Sequence, residues 1–162
     1  MTRRKCRLLS RTILVFCLAG LSCARKPAAP AGAAPDPELA KKGSIEVTAR
    51  LVEIPERAIF QRELYNYATV LKYQVMQVHR GKVEGDTIYV GHYNPFKPRA
   101  EAADSRVPEV GGNLKSFRAG QVHRMALEEP IDDYYMGGIV DMYFGQQKGP
   151  IYWAVRTNLV GG

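Results

Sequence analysis

The sequence predicts an all-β domain that forms a small antiparallel, OB-like barrel of five to six strands. The alternative is a β-sandwich of the immunoglobulin type. Short apolar runs alternate with polar residues, and glycines and prolines stand at the ends of those runs. Fourteen of the fifteen aromatic residues lie beyond residue 44. The sandwich is the second choice because the chain lacks the Cys…Trp…Cys core of immunoglobulin domains.

The strongest strand signal is a hairpin in the first half of this domain. Residues 68–79 are rich in β-branched and aromatic side chains, and their apolar positions change face near Met76 and Gln77, which predicts a β-bulge. A turn containing Gly81 and Gly85 leads into a returning strand over 87–93. Further strands are predicted over residues 45–51, 121–128, 139–144 and 151–157, with an ambiguous segment over 56–67 and a long loop over 94–112.

The N-terminus has the composition of an export signal. A basic segment, Met1 to Arg11, precedes the apolar run 12–22. Eleven helical residues span roughly 16 Å, which is much shorter than a hydrocarbon core of about 30 Å. Residues 1–22 are therefore predicted to be a signal peptide rather than a membrane-spanning helix.

The end of this signal, Leu18-Ala-Gly-Leu-Ser-Cys23, resembles the lipobox of bacterial lipoproteins. The resemblance implies cleavage before Cys23, a diacylglycerol thioether on its sulfur, and a protein anchored to a membrane of the bacterial cell envelope, on its periplasmic face. An ordinary secretory signal with an incidental thiol at Cys23 is the alternative. Residues 23–43 then form the lipidated cysteine and a Pro/Ala-rich tether that extends up to roughly 60 Å, and residues 44–160 form the barrel domain.

Charge and cysteine content have to be counted without the leader. Five basic and no acidic residues lie in 1–22, and the rest of the chain has 18 basic against 16 acidic residues. Beyond residue 43 the two numbers are equal, at 14 each, so the composition speaks against nucleic acid as a partner. All three cysteines lie at or before Cys23, so the domain is predicted to fold without disulfides.

A second resemblance covers residues 68–98 and 113–157. A strand that enters an Arg-Gly turn (Val75 to Gly81), the run Thr87 to Val90, and a Phe-x-x-Gly step at Phe117 to Gly120 are similar to a small β-domain of exported proteins associated with extracellular polysaccharide O-acetylation. The resemblance implies an accessory domain, since the chain lacks the catalytic signature of the acetyltransferases. The same strands and turns also resemble the netrin-like OB barrel.

Catalytic and metal-binding signatures are sparse. The serines beyond Cys23 (Ser44, Ser105 and Ser116) lie in no nucleophile motif, and no phosphate-binding glycine loop is present. The three histidines, His79, His92 and His123, lie in different strands without metal-ligand spacing, so no metal and no cofactor is predicted. Strand parity allows His92 and His123 to point into the barrel.

The segment 91–99 is the candidate binding site, because it combines aromatic, amide and cationic groups at a strand end and in a proline-stiffened loop. Its candidate residues are His92, Tyr93, Asn94, Phe96, Lys97 and Arg99. The alternative is that Tyr93 and Phe96 cover a barrel end and Asn94 caps a turn. Trp153 is interpreted as a core residue.

These observations predict a non-enzymatic, lipid-anchored envelope protein whose barrel binds or positions an envelope polymer, with carbohydrate as the first choice of ligand. Two alternatives remain. A protein–protein adaptor predicts an exposed apolar patch. A small envelope enzyme would use His92 or His123 with Asp132 or Asp133 as acid–base groups, within hydrogen-bond reach of each other in a cleft.

Overall fold

The structure, a computed structural model, describes residues 36–55, 66–97, 107 and 111–160. They form two short helices and six strands: α1 Pro37–Lys41, β1 Ile45–Glu53, β2 Tyr67–Arg80, β3 Thr87–Tyr93, β4 Val122–Glu128, α2 Ile131–Tyr134, β5 Gly138–Val140 and β6 Ile151–Leu159. The predictions for the signal peptide, Cys23, most of the tether, the segment 56–65 and Arg99 lie outside the described residues.

Five of the strands close into a barrel, so the predicted fold class is confirmed. Their order around the barrel is β1-β2-β3-β6-β4, and β4 pairs with β1 to complete the ring. The sixth strand, β5, lies outside the ring and pairs with the first residues of β2.

The barrel is mixed rather than wholly antiparallel. Strands β3 and β6 run parallel, while the other four pairings of the ring are antiparallel. A ring with an odd number of strands cannot alternate in direction all the way round, so one parallel pair is a necessary consequence of closure with five strands.

The predicted bulge in β2 is confirmed. Thr48 of β1 pairs with Gln77 and the next residue, Ala49, pairs with Val75, which leaves Met76 as the extra residue. At a second register shift, Glu46 pairs with Arg80 and Val47 pairs with Val78, which leaves His79 as another extra residue. Such bulges increase local twist and let a 14-residue strand bend around a narrow barrel.

Two apolar clusters stabilise the fold. The barrel interior is filled mainly from the five ring strands, with Leu114 and Phe117 added by the chain before β4. A smaller cluster lies outside the ring, where Ile131 and Tyr135 pack on Tyr93, Ala68 and Trp153. Trp153 is buried and stacks on Tyr135 at a centroid distance of 4.9 Å, so its interpretation as a core residue is correct.

Helix α1 lies within the segment that the sequence analysis assigned to the tether. The Asp36 carboxylate accepts a hydrogen bond from the Glu38 N–H, and Pro37 occupies the first turn, which are the residue types that begin helices. At the other end, the Arg80 guanidinium donates to the carbonyls of Leu39, Ala40, Lys42 and Gly43. The ordered domain therefore begins by residue 36.

The strand predicted over 139–144 is shorter than expected. β5 ends at Val140, because the Asp141 carboxylate accepts hydrogen bonds from the Tyr143 N–H and from the Gln147 amide and so starts a turn. Helix α2 precedes β5, and Asp132 and Asp133 lie in its first turn. Within the described residues, neither helix has the length or apolar content needed to cross a bilayer.

Candidate functional site

Two of the three histidines lie inside the barrel and share one tyrosine. The Tyr73 hydroxyl is 3.0 Å from His92 Nε2 and 3.0 Å from His123 Nδ1. All three side chains are buried, and the Phe117 ring lies edge-on to both imidazoles. The parity argument that allowed His92 and His123 to point inward is therefore correct.

Hydrogen-bond partners fix the direction of this chain. The Arg118 N–H donates to Gln121 Oε1 at 2.8 Å, so that atom is an acceptor, and it lies 3.2 Å from His123 Nε2. We therefore assign the His123 proton to Nε2, which leaves Nδ1 to accept from the Tyr73 hydroxyl. The Tyr73 oxygen can then accept a hydrogen bond from His92, in the tautomer that carries its proton on Nε2.

This arrangement favours an uncharged His123. An imidazolium would carry a second N–H at Nδ1, where the hydroxyl proton of Tyr73 already points. Burial alone also disfavours the charged form, and it lowers the pKa of His123 to about 4. His123 is therefore an uncharged part of the barrel core near pH 7.

The enzyme hypothesis required an imidazole and a carboxylate in one cleft. His123 instead bonds to a phenol and an amide inside the barrel. Asp132 and Asp133 are exposed in the first turn of α2, outside the ring. Among the residues that the structure describes, no group of three or more His, Cys, Asp or Glu side chains could hold a metal ion.

The described part of the predicted binding segment 91–99, residues 91–97, is largely internal. His92, Tyr93 and Asn94 are buried, Phe96 packs partly on the barrel core, and Lys97 is half-buried. Tyr93 packs edge-on against Tyr135, at a centroid distance of 5.7 Å. Tyr93 therefore belongs to the apolar cluster outside the ring rather than covering a barrel end, whereas Phe96 packs against the barrel core.

Asn94 makes a turn at the end of β3. Its φ is +43°, a left-handed conformation that asparagine tolerates better than most residues. Its side-chain amide donates to Asn66 Oδ1 at 2.9 Å, and the Lys97 ammonium donates to the same oxygen at 2.7 Å. These bonds hold the end of β3 against the start of β2, so the polar groups of this segment have internal partners.

A polar network on the outside of the barrel was not predicted. The buried Glu46 carboxylate accepts from Arg124 at 2.6 Å and from Arg80 at 3.3 Å. Beside it, the Thr48 hydroxyl lies 2.8 Å from His79 Nε2. The pKa of His79 is lowered, chiefly by burial and further by the positive charge of Arg124.

Helix α1 extends this network at its N-terminal end. Asp36 Oδ2 accepts from Arg156 Nε at 2.7 Å and from the Asn158 amide at 2.6 Å. These bonds lower the pKa of Asp36 to about 2, with the Asn158 bond as the largest cause. The alternation on β1 placed Glu46 and Thr48 on a polar face. Alternation alone predicts that such a face is exposed to solvent, and nothing in the pattern indicated that α1 lies beside it.

The connection between β4 and β6 exposes large apolar side chains. Met136 is 93% exposed and Phe144 is 89% exposed, with Tyr134 and Met142 about half exposed in the same connection. Single exposed apolar residues are ordinary in proteins, but four within eleven residues concentrate apolar surface in this connection.

No protein-family model, curated protein or solved structure matches the chain.

Proposed function

We propose that the protein is a non-enzymatic, lipid-anchored binding module of the bacterial cell envelope, whose barrel binds or positions an envelope polymer. The observation that carries the non-enzymatic part is the position of the histidines. His92 and His123 are enclosed and bonded to Tyr73, and His79 is bonded to Thr48, so the groups best suited to proton transfer at neutral pH serve the fold.

The anchored part of the proposal comes from the leader and the domain together. The lipobox-type sequence ends at Cys23, and the barrel that follows contains no cysteine. Such a domain depends on its apolar core alone, which is compatible with an oxidising compartment. The binding part rests on architecture, since five-stranded OB barrels are used repeatedly to hold oligosaccharides and other polymers.

Fractionation combined with polymer binding tests this proposal. The wild-type chain and the matched Cys23→Ser variant are expressed in a bacterial host, and the membrane and soluble fractions are probed after metabolic labelling with an alkyne fatty acid. We expect label and membrane association for the wild type only, with the same thermal melt for both barrels. Wild-type protein that stays soluble and unlabelled contradicts the anchor.

The binding part is tested on immobilised envelope polysaccharides, with the heat-denatured protein as a control for non-specific adsorption. Retention of the folded protein on at least one polysaccharide, and its release by the soluble form of that polymer, is the expected result. Absence of retention on every polysaccharide of the native envelope contradicts polymer binding.

A protein–protein adaptor is the second candidate, and the exposed residues of the β4–β6 connection favour it. A Met136→Ser/Phe144→Ser variant is compared with a Val52→Ser/Val78→Ser control, which removes exposed apolar surface elsewhere. If the adaptor function is correct, crosslinking in intact cells gives a specific adduct that only the first variant loses. Equal loss in both variants, or no adduct at all, excludes it.

A further inference from the structure

A cleft of about 230 Å³ lies where α1, β4 and β6 meet, on the outside of the barrel. Its polar wall contains Arg124, Arg156, Asn158 and Asn113, and Asp36 stands at the start of α1. Pockets for drug-sized ligands start near 300 Å³, so this cleft fits a smaller unit, such as one residue of a polymer.

The strand register places the two arginines on one face. Arg124 of β4 is opposite Asn158 of β6, and Arg156 is opposite Ala126. Residues two apart on a strand share a face, so Arg124 and Arg156 are diagonal neighbours on adjacent strands, a separation that long side chains bridge. Both guanidinium groups therefore reach the same cleft.

Each guanidinium group is held by a carboxylate through one side only. Arg156 uses Nε on Asp36, and Arg124 uses Nε and Nη2 on Glu46. A guanidinium has five N–H donors. Within the described part of the chain, both Nη atoms of Arg156 and Nη1 of Arg124 make no hydrogen bond, so these donors remain for a ligand. The carboxylates fix the side chains in advance, which reduces the entropy lost on binding.

The ion-pair network beside the cleft has a net charge of +1. Three guanidinium groups, those of Arg80, Arg124 and Arg156, face the two carboxylates of Glu46 and Asp36. One net positive charge matches a monoanion better than a dianionic phosphate. The planar fork of arginine is also suited to a carboxylate, which it binds through two parallel hydrogen bonds.

Asn113 adds a neutral donor at the rim. Its side-chain oxygen accepts the Leu159 N–H at 2.8 Å, and its backbone N–H donates to Asn158 Oδ1 at 2.9 Å. The residue is thereby fixed beside β6, while its side-chain NH₂ has no hydrogen-bond partner in the described ranges. An amide donor beside a guanidinium pair suits a sugar that carries both hydroxyl groups and a carboxylate.

From these observations we propose that the cleft is a carboxylate-binding subsite for an acidic envelope polysaccharide, in which Arg156 and Arg124 hold the carboxylate of one sugar residue and Asn113 donates to a neighbouring hydroxyl. This inference rests on the proposed polymer-binding function and names the chemical class of the polymer. The exposed apolar residues of the β4–β6 connection are not part of this site.

Isothermal titration calorimetry of the full-length protein in detergent tests the subsite. The probe is trigalacturonate, and its methyl ester is the matched ligand, since it has the same ring shape without the charge. We expect the acid to bind at least tenfold more tightly than the ester and inorganic phosphate to compete weakly. Equal affinity for acid and ester, or equally tight binding of phosphate, overturns the proposal.

The decisive variant is Asn113→Asp, which keeps an oxygen that accepts the Leu159 N–H and replaces the donating NH₂ group by a second, negatively charged oxygen. It should lower the affinity for trigalacturonate at least tenfold while the thermal melt stays unchanged. The control is Gln146→Glu, the same chemical change at an exposed residue of the β4–β6 connection, and it should bind as the wild type does. Arg156→Lys, which keeps the charge but removes the fork, should also weaken binding.

The two proposals fail in different ways. If the acid binds but Asn113→Asp and Gln146→Glu affect its affinity equally, the cleft is not the subsite, although a polymer-binding module remains. If trigalacturonate does not bind but a neutral polysaccharide does, the polymer class is wrong and the proposed function stands. If Cys23→Ser loses membrane association but keeps the wild-type affinity for trigalacturonate, the anchor and the subsite are independent.

Discussion

At the scale of single residues, the Tyr73 hydroxyl is the central polar atom of the barrel interior. It lies between the imidazoles of His92 and His123, and the bond to His123 continues to Gln121 near the surface. A buried polar chain of this kind is stabilising when every member has a partner and costly when one is removed. Two predictions follow from its geometry.

Replacing Tyr73 by phenylalanine removes one atom and leaves two imidazole nitrogens without their shared partner. Buried groups that lose a partner cost about 1 to 3 kcal/mol, so urea unfolding of Tyr73→Phe should show a loss of that order in the free energy of unfolding. Tyr134→Phe, at a half-exposed tyrosine, is the control and should change little. An equally stable Tyr73→Phe would contradict the hydrogen-bond chain.

The second residue-scale prediction concerns pH. The pKa of His123 is about 4 in the folded protein and 6.5 without the fold, so the folded state binds fewer protons between these values. The contribution of His123 is therefore complete above pH 6.5 and is lost as the pH falls towards 4. Between pH 7.5 and 4.5 this loss is about 2 to 3 kcal/mol.

NMR titration of the imidazole protons measures this directly. The His123 signal should remain that of a neutral ring at pH 5.5, whereas an exposed histidine is mainly protonated there. Asp36, whose pKa is about 2, titrates below this range and does not interfere. A His123 that titrates near pH 6.5 would show that the ring is not enclosed.

At the scale of elements, α2 is held on the outer face of the barrel by a close approach to β3. A Cβ at Gly91 would overlap the Ile131 side chain. Glycine is needed here for space rather than for an unusual backbone conformation. The sequence showed Gly91 only as a residue in a strand, where glycine often marks a close approach of this type.

Gly91→Ala should therefore destabilise the protein by about 1 to 3 kcal/mol, the usual cost of overpacking. Ile131→Ala makes room for the added methyl group, so the double variant should lose less than the two single variants combined. Denaturant unfolding of the four proteins gives the coupling energy. Strict additivity would mean that α2 does not rest on β3 as described.

Prediction from sequence worked best for elements defined by local alternation. β1, β2, β3, β4 and β6 were each recognised from apolar periodicity, and the bulge at Met76 from a change in that periodicity. Helix α1 was missed because a five-residue helix has little periodicity, and what holds it is a distant contact with Arg80. The length of β5 was overestimated for a different reason: hydrogen bonds of the Asp141 side chain start a turn there, and apolar alternation does not reveal them.

The candidate site was harder to predict than the fold. Segment 91–99 was selected for its residue types, but a strand end contributes such residues to the core as readily as to the surface, and His92, Tyr93 and Asn94 are buried. The cleft at Arg124 and Arg156 was missed because its parts come from α1, β4 and β6. Only the order of strands around the barrel brings those elements together.

At the scale of the whole molecule, a barrel without cysteines follows an N-terminal segment that we propose to be a leader ending at Cys23. In the part of the chain that the structure describes, closure of the ring pairs both edges of its strands, which limits unwanted pairing with other chains, and leaves β5 with a free edge. Helix α1 fixes the point at which the preceding chain meets the barrel, next to the arginine cleft. If residues 23–35 form the tether, the ligand site therefore lies beside the attachment point.

The most direct test of this account is intact-mass and N-terminal peptide analysis of the native protein purified from the membrane fraction. We predict a mature chain that begins at Cys23 and carries a diacylglycerol thioether with its acyl mass. A native polypeptide that keeps Met1 to Arg11, or one that starts elsewhere with an unmodified Cys23, would contradict it.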